Sequence, residues 1–166
     1  FNFNNTYAAE LTPHGLAISC EPEKASDPKL AYFNEPLAQE LQLLKEQEVS
    51  TAPAIAKYLS GNDKPPGAMP IAQAYAGHQF GQFNPQLGDG RALILGEHLS
   101  QQGKRVDICL KGSGRTPYSR GGDGKAGIAP MLREVLIAEA MHALGIPSTR
   151  SLAVVTTGDL VFRNQA

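Results

Sequence analysis

The sequence predicts an α+β fold, in which an antiparallel sheet packs against one long helix. The largely apolar stretch at 91–99 and the alternating apolar side chains at 104–112 are typical of strands. The stretch PMLREVLIAEAMHALG then has a helical pattern from about 130 to 144, with Pro130 suited to its first turn. With 166 residues, of which 42% are hydrophobic, the chain is long enough to bury a core.

Residues 1–75 are predicted to form a helical and irregular N-terminal region. Helical spacing or short apolar runs predict three helices there, at 35–47, 52–59 and 71–77, with a Gly- and Pro-rich loop at 60–70. The first of these helices would place Leu37, Leu41 and Leu44 on one stripe. This region would precede a second domain that runs from residue 76 to residue 166.

The second domain is predicted to contain three strands, one helix and two strands. HQFGQFNP, the strand at 91–99 and the strand at 104–112 would form an antiparallel meander, and SLAVVTTGDLVFRNQA would form a hairpin that stops short. The helix is apolar on nearly all sides, so we expect it to be largely buried. A carboxylate on such a helix needs a cationic partner, and Glu134 or Glu139 is expected to have one.

Charge is unevenly distributed, although the net charge is only −1. Residues 1–60 carry eight acidic and four basic side chains, whereas 104–133 carry seven basic and two acidic ones. The pattern indicates a local site for an anionic ligand rather than a nucleic-acid or membrane surface. Cys20 and Cys109 form no CxxC pair, and no apolar run could span a membrane, so a cytoplasmic protein is expected.

Glycines and cations mark two candidate ligand-binding stretches. Gly88 and Gly90 lie in a turn between strands, where glycine lets backbone N–H groups approach a phosphate, and Arg91 adds a charge. A plain hairpin turn is the alternative. KGSGRTPYSRGGDGKAG, from residue 111, holds five glycines and four cations in its first fifteen positions, and the part after Lys111 predicts a flexible cationic lid. Neither stretch fits a dinucleotide fingerprint or a Walker A loop.

Lys111 ends an alternating strand directly before the lid. It is either a phosphate-binding lysine or a surface lysine with its stem on apolar neighbours. A glycine turn between strands, a lysine on the third strand and a glutamate on the next helix are the parts of a protein-kinase small lobe. On that interpretation Lys111 pairs with Glu134 or Glu139. The four isolated histidines indicate no metal site, and Tyr118 and Ser119 are expected to shape the lid or bond a phosphate.

Three stretches closely resemble the selenoprotein O family of kinase-like protein adenylyltransferases: YAGHQFGQFNPQLGDGRALILGE, LKGSGRTPYSRGGDGKA and LREVLIAEAMHALGIPSTRSLAVV. The resemblance implies transfer of AMP from ATP to Ser, Thr or Tyr hydroxyls of other proteins, with Mg²⁺ or Mn²⁺. It also implies that Glu134 pairs with Lys111 as the helix partner of the phosphate lysine. The nucleotide contacts that it implies are Gly88, Gly90, Arg91, Lys111, Asp123 and Gly124.

Members of that family are considerably longer than this chain. The resemblance therefore implies that the catalytic aspartate and the metal ligands lie outside these 166 residues, and that the chain is inactive alone. Protein substrates are the expected partners, with no nucleic acid and no membrane. Two alternatives stay open: a kinase-type phosphotransferase, and an ATP-binding module without catalysis.

Overall fold

The computed structural model describes residues 1–43 and 52–163 and has two compact units. The first unit combines Phe1–Lys24 with Gly61–Lys125, and the second combines Ala25–Ser60 with Ala126–Ala166. Each unit is therefore built from two stretches that are distant in sequence. The predicted division into 1–75 and 76–166 stays a prediction.

The first unit is organised around a four-stranded antiparallel sheet. Its elements, numbered along the whole chain, are α1 (Thr6–Leu11), a 3₁₀ turn (Thr12–His14), β1 (Ala17–Ser19), β3 (Ile71–Gln73), β4 (Gly77–Gln79), β5 (Gln82–Asn84), β6 (Ala92–Leu99) and β7 (Arg105–Lys111). The strand order in the sheet is β1-β3-β6-β7, while β4 and β5 pair only with each other as a hairpin.

Strand β6 is the centre of the first unit, because both of its faces are covered. Leu93 and Leu95 join Ile108 and Leu110 of β7 in one buried cluster, and Ile94 joins a second cluster with Ile71 of β3. The clusters lie on opposite faces since side chains alternate along a strand. The predicted strands at 91–99 and 104–112 are thus confirmed, and so is the inward alternation of Val106, Ile108 and Leu110.

The N-terminal segment is fixed along the far half of β6. Asn4 N donates to Glu97 O at 2.9 Å, and Leu99 N donates to Asn2 O at 2.9 Å. The buried carboxylate of Glu97 then accepts from Thr6 Oγ1 at 2.7 Å and from Tyr7 N at 2.6 Å. These atoms belong to the first turn of α1, whose N–H groups lack partners within the helix. A strand carboxylate therefore caps α1 from outside.

The second unit pairs two strands with three helices. Its elements are β2 (Lys29–Phe33), α2 (Glu35–Glu40), α3 (Ala52–Ser60), α4 (Ile128–Ala143) and β8 (Ala153–Thr156). Strands β2 and β8 are antiparallel, α3 packs on both strands, and α4 packs on β8. Asn34 caps α2 because its side-chain oxygen accepts from Leu37 N at 3.1 Å.

Helix α4 confirms the predicted helix near 130–144, but the expectation that it is largely buried is wrong. Only Val135 and Ala138 of α4 are buried, whereas Leu136 and Ile137 are 69% and 64% exposed. The helix meets β8 with one face only. An apolar composition shows that a helix has apolar faces, but it does not show how many of them are covered within this chain.

The structure confirms a mixed α/β fold with antiparallel sheets, and the kinase-like identity of the fold stays a prediction. The helix predicted at 71–77 is wrong, because Ile71–Gln73 is strand β3. HQFGQFNP forms a separate hairpin instead of a sheet strand. The predicted C-terminal hairpin is also wrong within the described residues, since β8 pairs with β2 and 160–163 contain no strand. The predicted helix at 52–59 is confirmed. Helix α2 confirms the start of the one predicted at 35–47, but it ends at Glu40 and 41–43 are not helical, while residues 44–47 lie outside the described part.

Candidate functional site

One end of the sheet of the first unit brings together two of the predicted site residues. Ala92 at the start of β6 pairs with Lys111 at the end of β7, and Gly112 N donates to Arg91 O at 2.6 Å. Arg91 and Lys111 consequently lie at the same end of the two paired strands, and the structure leaves both residues exposed to solvent. The alternation of apolar residues along 104–112 predicted that Lys111 ends a strand, and β7 does end at Lys111.

The glycine turn before β6 is packed against the lid that follows β7. A Cβ on Gly88 would overlap the ring of Tyr118, so only glycine fits there. Thr116 Oγ1 donates to Asp89 O at 2.5 Å, and Ser119 Oγ donates to Gly90 O at 2.6 Å. The two glycine-containing stretches therefore form one joined surface, and the expectation that Tyr118 and Ser119 shape the lid is confirmed.

The N–H groups of the turn have partners inside the protein. Asp89 N donates to Gln73 O at 3.0 Å, and Gly90 N donates to Gly88 O at 2.8 Å. Two N–H groups that the sequence seemed to offer to a phosphate are thus engaged in this conformation. The close contact with the Tyr118 ring also explains why residue 88 is glycine, without any contact between its N–H group and a phosphate.

Asp89 is a partly buried carboxylate in the same turn. Its Oδ2 accepts from Gln73 N at 2.9 Å. Burial raises the pKa of Asp89, and hydrogen bonds from the Gln73 N–H and the Tyr75 side chain offset part of that rise. The carboxylate is thus tied to the β3 side of the turn by two donors.

The lid, residues 112–125, is closed at its base by Glu23. Ser113 and Lys125 form an isolated antiparallel bridge, and Glu23 N donates to Ser113 O at 2.8 Å. The Glu23 carboxylate accepts from Arg115 N at 3.0 Å and pairs with Lys125 Nζ at 2.9 Å. The hydrogen bond from Arg115 N–H and the contacts with Lys125 hold the pKa of Glu23 below its ordinary value. The lid is therefore anchored at both ends.

Asp123 and Gly124 belong to this closed base. Asp123 Oδ1 accepts from Lys125 N at 2.9 Å, which fixes a local turn. Gly124 has φ +66°, and a Cβ there would overlap the Gly114 carbonyl oxygen. Each residue has a structural role in the lid, so a nucleotide contact at either position would be an addition to that role.

The lid leaves most of its positive charge at the surface. Lys125 is paired with Glu23, whereas Arg115 and Arg120 are exposed, as are Arg91 and Lys111 nearby in the same unit. Among the described residues, Ser113 Oγ is the buried side-chain polar atom that lacks a hydrogen-bond partner. Buried polar atoms are nearly always bonded. The exposed cations give this surface the chemistry of an anion site, whereas the Ser113 hydroxyl is buried.

Glu134 lies exposed on α4 in the second unit, and its pairing with Lys111 stays a prediction. Glu139 has a different partner, since Arg150 Nε and Nη2 reach its two carboxylate oxygens at 2.9 and 3.0 Å. The hydrogen bonds from Arg150 hold the pKa of Glu139 below its ordinary value. The expectation that a glutamate of this helix has a cationic partner is thereby confirmed at Glu139, although the sequence did not identify Arg150.

Comparison with protein families identifies the chain. The model of the family described as protein adenylyltransferase SelO matches residues 2–166. The chain belongs to the SelO family. The resemblance found in the sequence is confirmed, and the match extends over nearly the whole chain, including both stretches of each compact unit.

Curated relatives of this SelO chain carry a related name. The chain is 59% identical to protein nucleotidyltransferase YdiU of Anoxybacillus flavithermus over 163 residues. This alignment covers 98% of the chain and 33% of that protein. The protein of the same name from Brevibacillus brevis is 56% identical over 163 residues, covering 98% and 32%. That from Clostridium perfringens strain SM101 is 55% identical over 165 residues, covering 99% and 33%. The chain spans about a third of the length of these relatives.

The described residues contain neither a cluster of metal ligands nor a membrane-spanning helix. No group of three or more His, Cys, Asp or Glu side chains in 1–43 and 52–163 could hold a metal ion. No helix in the same residues is long and apolar enough to cross a membrane. Cys20 and Cys109 are free thiols.

Sequence reasoning missed Glu23, the residue that anchors the lid. Glu23 lies about ninety positions before the residues that it binds, and a single carboxylate in an irregular stretch has no periodic signal. Gly88 was found, but its contact with Tyr118 was not. Contacts between two loops depend on the tertiary fold, which residue spacing does not report.

Proposed function

We propose that this chain is the nucleotide-binding part of a protein adenylyltransferase, which transfers AMP from ATP to Ser, Thr or Tyr hydroxyls of other proteins. The observation that carries the proposal is the SelO family match over residues 2–166, together with relatives named protein nucleotidyltransferases. The two free cysteines are consistent with a reducing cytoplasm, where we place the protein.

The residues at the end of the sheet fit a polyanionic ligand. Arg91 and Lys111 supply exposed charges at the same end of the sheet, and such cations can make charge-assisted hydrogen bonds to phosphate oxygens. The glycines also keep side chains out of the junction of turn and lid. We assign the nucleotide to these residues, with the following contacts: Gly88, Gly90, Arg91, Lys111, Asp123 and Gly124.

In this proposal Lys111 has two roles. Its ammonium binds the phosphates, and it pairs with Glu134, which keeps the amine oriented. ATP would supply the AMP group: the acceptor oxygen forms a bond to the α-phosphorus, the bond to the β-phosphate breaks, and pyrophosphate leaves. We assign Mg²⁺ or Mn²⁺, the base that takes the hydroxyl proton and the metal ligands to polypeptide outside these 166 residues, so residues 1–166 alone should transfer nothing.

The test uses the protein at the full length of its relatives, with ATP labelled on the α-phosphate. We expect Lys111→Ala to lower labelling of protein acceptors by roughly ten- to a hundredfold or more, because a charge-assisted contact of about 1.5–3 kcal/mol is lost. The matched control is Lys104→Ala, which removes an exposed lysine just before the opposite end of β7. Labelling at the wild-type rate in the Lys111 variant would refute the assignment.

The alternatives are separated by the position of the label. A kinase-type phosphotransferase has the same need for cations and glycines, but it would transfer the γ-phosphate label instead of the α-phosphate label. A non-catalytic module would bind ATP and transfer neither label. The family and relative names favour nucleotidyl transfer over both.

A further inference from the structure

The hairpin of β4 and β5 carries aromatic side chains that the first unit does not cover. Phe80 at the tip is fully exposed, and Phe83 on β5 is 61% exposed. His78 is the register partner of Phe83, and its ring lies edge-on to the Phe83 ring with 5.5 Å between centroids. The hairpin thus presents a ridge of three rings to solvent.

The backbone at the tip is unfavourable for the residue that it carries. Phe80 and Gly81 form a two-residue turn with φ +53° and +77°. Turns of this kind favour Asn-Gly, because most side chains are strained at positive φ. An exposed phenylalanine there contributes little to the stability of the fold. Strained residues of this type cluster at functional positions.

The hairpin lies in the connection that also contains the glycine turn. Strands β3 and β6 are neighbours in the sheet, and the residues between them, 74–91, include both the hairpin and Arg91. The stretch from 74 to 87 contains no charged side chain. One cation reaches it from the lid, since Arg120 Nη1 donates to Gln79 Oε1 at 3.4 Å. The ridge is therefore apolar with a positive charge beside its tip.

We propose that this hairpin docks the protein substrate. The fitting partner is an extended polypeptide segment that sets a large apolar or aromatic side chain against Phe80 and Phe83, and a neighbouring carboxylate near Arg120. Aromatic residues, phenylalanine among them, and arginine are enriched at protein interfaces relative to the rest of the surface. The inference rests on the proposed function, because it names the substrate feature that brings a hydroxyl to the nucleotide held by the same connection.

The experiment uses the full-length protein and a positional series of serine peptides. In each peptide a Phe-Asp pair occupies a different place in an Ala-Gly background, and matched peptides carry Ala-Asp or Phe-Asn. We expect wild-type protein to modify the best Phe-Asp peptide at least about tenfold faster than its Ala-Asp partner. The Phe-Asn partner should fall between them.

The decisive variant is Phe80→Asn, which keeps a favourable turn and removes the ring. It should abolish the preference for Phe while leaving the KM for ATP unchanged and the melting temperature equal or higher. The matched control is Leu16→Asn, which removes an exposed apolar side chain outside the hairpin. Phe83→Ser provides a second test of the ridge if Phe80→Asn does not fold.

Two results would overturn the proposal. An unchanged peptide preference in both ring variants would exclude docking, and a raised KM for ATP with an unchanged preference would assign the ridge to the adenine base. If the wild-type protein transfers no α-phosphate label, the proposed function fails separately. Binding of the same fluorescent peptides to wild-type and Phe80→Asn protein then decides docking alone.

Discussion

Replacing Glu97 by glutamine should destabilise the first unit strongly, although the side chain keeps its shape. The Glu97 side chain is 3% exposed and accepts from Thr6 Oγ1, at 2.7 and 2.9 Å to its two oxygens, and from Tyr7 N at 2.6 Å. Arg105 Nη1 lies 3.4 Å away. An amide in its place retains one uncharged acceptor, and its NH₂ group can donate to the Thr6 hydroxyl but not to Tyr7 N or Arg105, which are donors only.

The magnitude follows from these contacts. Hydrogen bonds to a charged group contribute about 1.5–3 kcal/mol each, and glutamine loses the charge from all of them but keeps one acceptor. The contact with Arg105 adds little, because its distance is long and its side chain is 38% exposed. We expect Glu97→Gln to lower the free energy of unfolding by about 2–3 kcal/mol, and the melting temperature by about 4–10 °C.

The loss of unfolding free energy caused by Glu97→Gln should depend on pH. Burial alone would raise the pKa of Glu97, but the hydrogen bonds from Thr6 and Tyr7 and the Arg105 charge outweigh burial and hold it below its ordinary value. A lowered pKa in the folded state gives stability that is present above the unfolded pKa and is lost as pH falls through the folded one. The difference between wild type and Glu97→Gln should therefore be full at pH 7 and shrink in acid.

Urea denaturation at a series of pH values, followed by far-UV circular dichroism, measures this difference. Glu10→Gln is the matched control, because Glu10 is an exposed carboxylate on the same helix α1. Its effect should stay within about 0.5 kcal/mol at every pH. If Glu97→Gln costs no more than the control at pH 7, the carboxylate does not cap α1 and the reasoning is refuted.

Three further predictions concern the lid and the second unit. In Glu23→Gln, the hydrogen-exchange protection factor of the Arg115 amide should fall at pH 7, and wild type should approach the same value as pH drops through the lowered pKa of Glu23. Gly88→Ala should cost about 1–3 kcal/mol in urea denaturation, and clearly less in a Tyr118→Ala background; equal costs would contradict the close packing. Arg150→Lys should lower the melting temperature, because an ammonium cannot make the two parallel bonds to its glutamate, and an unchanged melting curve would disprove that role.

The parts of the fold that sequence predicted are the longer elements with a clear local signal. Helix α4 is a mostly apolar stretch of sixteen residues with Pro130 near its start, β6 is a largely apolar stretch of eight residues, and β7 alternates exposed with more buried side chains over its seven residues. Lys111 could be placed at a strand end for the same reason. Strand β3 has only three residues, which is too short to show a period, and its alanine-rich surroundings favoured a helix.

The contacts that sequence could not predict join residues far apart in the chain. The apolar stretch after Gly158 has strand propensity and was expected to pair with the strand before it. That strand, β8, pairs with β2. The partner of Glu139 was expected without being identified, because Arg150 lies beyond the helix in an irregular segment. At the candidate site the residue types were predictable, whereas the joining of turn, lid and Glu23 was not.

The interleaved units have a consequence for synthesis of the protein. The four-stranded sheet of the first unit is complete once residue 111 has left the ribosome, because β7 is its last strand. By then about eighty residues have been added since β2 was synthesised, and its partner β8 does not emerge until residues 153–156. An unpaired strand of sequence KLAYF is a site for wrong pairing during that interval. The N-terminal half of the second unit therefore stays open to wrong pairing until β8 has been synthesised.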